Sequence, residues 1–428
     1  MKPSAFSACS FFGPARSYLM VIGILGVAMI VPMYAQDEVW DRFRGPNGAG
    51  ISTAKGLPVE YSEQATAWKV ELPGTGPSSP VFWKESIFLT GADPVKVGSR
   101  MVFALEAATG KLKWKKEFGF TPYKQHNHNN FASSSPAVDA ERVYITWTDK
   151  TDRFALALDH AGKILWEKKI GPFFANHGSA TSPVVFGDTL VLTNEQETDA
   201  GFVIGLDCKT GDERWRVKRL NGKAPYCTPI SMPDENGSEL AVFASVAHGV
   251  TAIDPASGEI VWESGPVFLM RTVGGLVVWD GKVFGTSGSG GSGKNAVLVD
   301  PSAKDGKANV VYELKKGLPY VVTPIAKDGL IYLWGDGGIV TCVDASDGET
   351  VWQNRVGGKY YASTVCIDGK LYNVSRDGEL VVLATGREFK ILGRSQLGER
   401  SDSTPTVHQG KLFLKTNSQL ICLAPKKG

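Results

Sequence analysis

The chain has 428 residues, with 46 basic against 44 acidic side chains and a formal charge of +2. That balance leaves no electrostatic footprint for nucleic acid or an anionic membrane surface, so charge assigns no partner. Its 49 glycines and 11 tryptophans suit many short strands joined by tight turns, because glycine supplies positive φ and aromatic rings pack well on pleated surfaces.

At the N-terminus, Lys2 and Arg16 precede an apolar run from Tyr18 to Met33, followed by Tyr34-Ala35-Gln36. This is the pattern of a secretory signal peptide, expected over 1–35 with cleavage after Ala35; an uncleaved anchor is the alternative. Cys9 lies before the apolar run, whereas a lipid-attachment cysteine is expected just after one. Residues 36–59 form a turn-rich segment around Phe43-Arg44-Gly45-Pro46-Asn47-Gly48-Ala49-Gly50. The later cysteines, Cys208, Cys227, Cys342, Cys366 and Cys422, are odd in number and irregular in spacing, with no C-x-x-C pair and no haem attachment site. They read as small buried strand residues.

Over 60–424 one unit recurs with a period of roughly 40 to 55 residues, the range of propeller blades. Each unit opens on Ser/Thr-Pro and an apolar residue. The copies are Ser79-Pro80-Val81, Ser135-Pro136-Ala137, Ser182-Pro183-Val184, Thr228-Pro229-Ile230, Thr323-Pro324-Ile325 and Thr404-Pro405-Thr406, with weaker ones near Leu276 and Thr364, eight in all. A polar turn and an apolar strand follow, as in Asp280-Gly281 before Lys282-Val283-Phe284 and Asp368-Gly369 before Lys370-Leu371-Tyr372; Asp-Gly between apolar runs signals a hairpin. The unit ends with an apolar strand, an acidic turn and an aromatic strand: Leu158-Asp159 to Trp166, Leu206-Asp207 to Trp215, Ile253-Asp254 to Trp262. Leu105-Glu106 to Trp114 and Val343-Asp344 to Trp352 repeat it, while Tyr312 and Phe389 stand where degenerate copies would place the Trp. Such a turn lets the acid bond the backbone while Gly takes the left-handed conformation.

The string Leu/Ile-Asp-x-x-Thr/Ser-Gly-x-x-x-Trp resembles the repeat of the pyrroloquinoline-quinone (PQQ) propeller family. The resemblance implies an all-β, eight-bladed propeller of four-stranded antiparallel blades, in which each recurrent Trp docks on the adjoining blade. The last unit stops at Leu420-Ile421-Cys422-Leu423, before its Trp strand, and Ala67-Trp68-Lys69-Val70 can supply that strand. The ring is therefore expected to close by mixing N- and C-terminal strands. Residues 425–428 form a short tail. The turn-rich 43–50 cluster is expected to plug or clasp the ring, with Arg44 free to meet a carboxylate.

Strands that alternate in direction gather the inter-blade connections on one face, at the mouth of the channel. Those connections carry Tyr123, His126, His128, Asn130, His177, Tyr226, Arg271, Tyr320, Tyr360, Tyr361, Arg400 and Asp402, and longer loops add Asp93, Asp149, Glu195, His248 and Arg376. The candidate binding face is His128, Asn130, His177, Glu195, Tyr226, Arg271, Tyr320, Tyr361, Arg400 and Asp402. Arg271 interrupts an apolar stretch, so it needs an acidic partner or an anionic ligand; Arg400 and Asp402 can satisfy each other. His126-x-His128 could bind metal but has no nearby carboxylate and reads as a structural loop. The Ser287–Gly293 run leads into a strand and not a helix, so it reads as a loop without phosphate. No nucleophile elbow and no H-E-x-x-H motif occur.

Within the resembled family, proteins like the outer-membrane assembly factor BamB are non-catalytic scaffolds, whereas quinoprotein dehydrogenases bind PQQ and calcium and oxidise alcohols or sugars. The bare ring points to the first class: an exported, monomeric binding propeller of the periplasm or cell envelope, with a protein, peptide or glycan partner and no cofactor or catalytic residue. The alternative is a PQQ- and calcium-dependent dehydrogenase, for which Asn194-Glu195 could supply part of a calcium set.

Overall fold

The structure, a computed structural model, describes residues 39–302 and 308–425; the predicted signal peptide and the last three residues of the tail lie outside them. Eight four-stranded antiparallel sheets form a propeller, with blades at 81–119, 137–172, 184–218, 230–263, 277–314, 325–355, 365–396 and 406–423. The final blade takes its outer strand, Thr66–Glu71, from the N-terminus, with Trp68 opposite Cys422. Closure therefore runs as the repeat pattern requires. The middle strands are sandwiched between neighbouring blades, so Ser86–Ala92 is buried throughout, while the outer strand Leu112–Gly119 alternates partly buried and exposed positions.

The local chemistry of each turn is visible at Asp207. Its Oδ1 accepts from the N–H groups of Lys209 and Thr210, both at 2.9 Å, and Gly211 takes φ 72°. The Trp strand of one blade then lies on the corresponding turn of the next. Trp68 Nε1 donates to Ala107 O (3.2 Å), Trp114 to His160 O (2.8 Å), Trp166 to Cys208 O (3.0 Å), Trp215 to Pro255 O (2.9 Å) and Trp352 to Gly386 O (3.0 Å). Tyr312 substitutes its hydroxyl, donating to Ala345 O at 3.1 Å. Trp262 is buried in the same strand position.

Phe389 does not hold that position. In the seventh blade the residue opposite Val382 is Gly393, and Phe389 packs edge-on against Trp352 of the preceding blade at 5.3 Å. The eighth blade, assembled from both termini, offers no such turn. Segment 57–61 runs past instead, and a β-carbon at Gly393 would strike Val59 O. Facing each Trp is a small residue, such as Ala104, Cys342 or Cys422. All five described cysteines are buried free thiols, and burial pushes the Cys342 and Cys422 thiols up to about 12.

The Ser/Thr that opens each blade has a shared structural task. Its backbone N–H donates to the hydroxyl at the same position of the next blade: Ser79 to Ser135, Ser135 to Ser182, Ser182 to Thr228, Gly275 to Thr323, Thr323 to Ser363, Ser363 to Thr404 and Thr404 to Ser79, all between 2.9 and 3.2 Å. The circle breaks only at Thr228, because the next position is Gly275 and has no hydroxyl.

Inside this circle runs the N-terminal segment. Innermost strands have no neighbour on their channel side, and buried N–H groups need partners. Trp40 O accepts from Phe82 N (2.8 Å), Asp41 O from Val138 N (2.8 Å) and Gly50 O from Cys366 N (2.7 Å). Ile51–Ser52 then pairs in parallel with Val365–Ile367. Arg44, expected to face a carboxylate, instead donates to four carbonyls: Gly48 O, Ala49 O, Pro324 O and Thr364 O, at 2.7–3.1 Å. Burial alone pulls its pKa down to about 9, which still leaves the guanidinium charged at neutral pH. A clasp of carbonyls suits it because the charge is shared among several dipoles without a buried carboxylate.

Candidate binding site

On the face of the inter-blade connections the channel opens into a cavity of about 630 Å³. Ser182, Thr228, Gly275, Thr323, Ser363 and Thr404 of the hydroxyl circle line it, as does Phe43 of the plugging segment. The cavity is therefore a cup at the channel mouth, within the roughly 300–1,000 Å³ typical of small-ligand sites.

Seven of the ten candidate residues meet there: His128, His177, Tyr226, Arg271, Tyr320, Tyr361 and Asp402. Asn130 and Arg400 border a smaller cleft of about 170 Å³ beside it, which shares His128 and Asp402. Asn130 Oδ1 accepts from Ala132 N at 2.9 Å and so shapes its own loop. Glu195 lies elsewhere, only 3 % exposed, with Arg219 Nε 3.2 Å from its Oε1. Arg219 also binds Glu263 at 2.7 Å. Burial pushes the Glu263 carboxyl up, but His248, Arg219 and Thr251 outweigh it and hold the group at about 2.

One side of the cup is built on Arg271. Its Nε donates to Ala224 O at 3.1 Å and its Nη2 pairs with Glu197. Burial raises the Glu197 carboxyl, yet the Asn176 N–H and Arg271 together bring it below the ordinary range. The opposite side is built on Asp402, which receives Arg376 Nε at 2.7 Å and Arg400 Nη2 at 2.6 Å. Arg376 also lies 4.3 Å over the Tyr361 ring and 3.2 Å from His128 Nδ1.

Between the two sides lie stacked imidazoles, His126 on His177 with centroids 5.0 Å apart and His128 at 5.2 Å from His126. Burial, then Arg376 and His126, lowers the His128 pKa; burial, then Arg271 and His126, lowers that of His177. Both shifts favour the neutral imidazole. Among the described residues no group of three or more His, Cys, Asp or Glu side chains is arranged to hold a metal ion. Asn129 fixes the loop, donating to His177 O at 2.6 Å.

Sequence reasoning missed Glu197, Arg219 and Asp336. Asp336 accepts from the N–H groups of Tyr320 and Val321 at 2.9 and 3.0 Å, which orients the Tyr320 connection. The need of Arg271 for an acid was legible; its partner, 74 positions away, was not.

The family model described as "Outer membrane protein assembly factor BamB" matches residues 59–218, 98–311 and 249–428. The BamB of Yersinia pestis is 21% identical over 409 residues, covering 92% of this chain and 85% of its own length. Methanol dehydrogenase [cytochrome c] subunit 1 of Paracoccus denitrificans is 28% identical over 244 residues, 52% of this chain but 35% of its own length. Among solved structures, BamB from Moraxella catarrhalis superposes with a TM-score of 0.62 at 14% identity, covering 85% and 98% of the two chains. Quinohemoprotein alcohol dehydrogenase ADHIIG from Pseudomonas putida HK5 gives 0.64 at 12% identity, covering 91% and 81%. Such low identities speak for the fold alone. Matched from end to end of its ring of repeats, the chain belongs to the PQQ-like propeller family of the outer membrane protein assembly factor BamB.

Proposed function

We propose that the protein is a non-catalytic binding propeller of the cell envelope, exported by its N-terminal segment, that recognises a protein or glycan partner through its loop-rich face. One observation carries this reading. The carboxylates at the cup are already committed, Glu197 to Arg271 and Asp402 to Arg376 and Arg400. A general base must be free to take a proton from substrate, whereas these groups shape a surface of paired charges and aromatic rings.

The dehydrogenase alternative asks for PQQ and calcium, and the residues do not fit that pair. Calcium takes about six to eight oxygen ligands. Asn194-Glu195, the expected half of such a set, is buried away from the cup, with Asn194 Nδ2 donating to Pro172 O at 3.0 Å and Glu195 held by Arg219.

The test is capture from an envelope extract by residues 36–428, compared with the chain carrying Arg271→Ala and Tyr320→Ala together. Capture lost in a variant that keeps its melting temperature supports the face as the recognition surface. Capture unchanged by the double substitution removes it.

A further inference from the structure

We propose that the cup is a saccharide site that takes the end of an uncharged oligosaccharide, an inference that rests on the loop-rich face being the recognition surface.

The shape argues for a chain end. With Phe43 among its lining residues and the plugging segment behind it, the cup admits a ligand from the loop-rich face and stops it there. The walls argue for sugar rings. Tyr320, Tyr361 and the stacked His126–His177 pair line it with aromatic rings, against which the C–H face of a pyranose can pack, one face of Tyr361 being backed by Arg376. The polar groups between them are side-by-side donors and acceptors, Arg271 with Glu197 and Arg376 with Asp402. Adjacent hydroxyls of a sugar, each both donor and acceptor, match such pairs.

The charge pattern selects against ionic ligands. Within the cup Arg271 is matched by Glu197 and Asp402 by Arg376, so an entering anion meets no unmatched guanidinium there; Arg400, the second cation on Asp402, borders the neighbouring cleft. A peptide added as a strand would need free backbone edges. The inner-strand N–H groups of Phe82, Val138 and Cys366 are already taken by the plugging segment.

Two polar atoms of the wall remain unmet: the Tyr226 hydroxyl and His177 Nδ1 are buried without a hydrogen-bond partner. Tyr226 is tied through its N–H to Thr272 O at 2.8 Å, and so to the connection that reaches Gly275, where the hydroxyl circle is broken. The Tyr226 hydroxyl and His177 Nδ1 are therefore the groups of the cup left to bond a ligand hydroxyl.

Calorimetric titration of residues 36–428 with cellobiose, maltotriose and chitotriose, beside trigalacturonate and a capped pentapeptide, tests the proposal. At least one neutral saccharide should bind with Kd below about 1 mM. Tyr361→Ala or Asp402→Asn should weaken it at least tenfold at unchanged melting temperature. Tyr226→Phe, which keeps the ring, should weaken it several-fold and serves if either of the other variants fails to fold. The proposal falls if the folded protein binds none of the neutral sugars, if trigalacturonate or the peptide binds in their place, or if binding survives the substitutions. In each of those cases protein capture sensitive to Arg271 and Tyr320 would leave the recognition face standing. Turnover with PQQ would overturn both.

Discussion

The backbone N–H of Thr404 donates to the Ser79 hydroxyl at 3.1 Å, joining the innermost strand of the last blade to that of the first. Ring closure is thus made twice, at the outside by the shared Thr66–Glu71 strand and at the channel by one hydrogen bond of a repeated circle. Both elements of this bond are buried, so it cannot be exchanged for water.

Ser79→Ala should therefore destabilise the propeller by about 1–3 kcal/mol, the range for a buried N–H left without its acceptor. Ser79→Thr, which restores the hydroxyl as other blades do, should recover most of the loss. Urea unfolding of the two variants checks this, and equal stabilities would contradict the latch.

Tryptophan docking separates into a hydrogen bond and a packed ring. Trp215→Phe should cost about 1 kcal/mol through loss of the bond to Pro255 O, and Trp215→Ala about 3–5 kcal/mol because a cavity is added. Tyr312→Phe should resemble the first. Denaturant midpoints would show whether hydroxyl and indole are interchangeable at this joint.

The plugging segment is held by geometry as well as by Arg44. Gly45 sits at φ 66° with the Trp40 ring 2.5 Å from any β-carbon, so Gly45→Ala should release the segment. Arg44→Met strands four carbonyls and should cost at least about 2 kcal/mol. Limited proteolysis should then cut near residue 45 in both variants before the ring unfolds; resistance equal to wild type would show that the plug is held elsewhere.

Lys415 supplies a pH signature. It is buried, with Nζ bonded to Gly76 O and Thr416 O, and burial pulls its pKa from 10.5 to about 8. Between those values the unfolded chain holds a proton that the folded chain has shed, so stability should rise with pH across this window. Below pH 8 both states are charged and the burial penalty stands in full. Lys415→Met should lose the rise from pH 8 to 10, as read by chemical denaturation.

The repeat made the blades, their order and the closing strand legible, because each rests on local spacing such as Asp207 to Gly211 to Trp215. The hydroxyl circle was visible only as a recurring Ser/Thr-Pro, since its bonds join blades some forty residues apart, as from Ser135 to Ser182. Phe389 misled for a physical reason: the blade built from both termini has no turn for an aromatic to dock on, and Gly393 stands in its place. At the cup, the position of polar residues just before inner strands made the placement of seven lining residues legible. Glu195 fell outside because it pairs inside the blade with Arg219, just past the outer strand Glu213–Lys218, while Glu197 reaches Arg271.

The most direct measurement is to incubate residues 36–428 with PQQ and calcium, then record retained cofactor absorbance and dye-linked oxidation of an alcohol and sugar panel. A binding propeller whose carboxylates are committed to arginines should retain no PQQ and show no turnover while remaining folded. Stoichiometric PQQ with turnover would contradict the account and make the cup an active site.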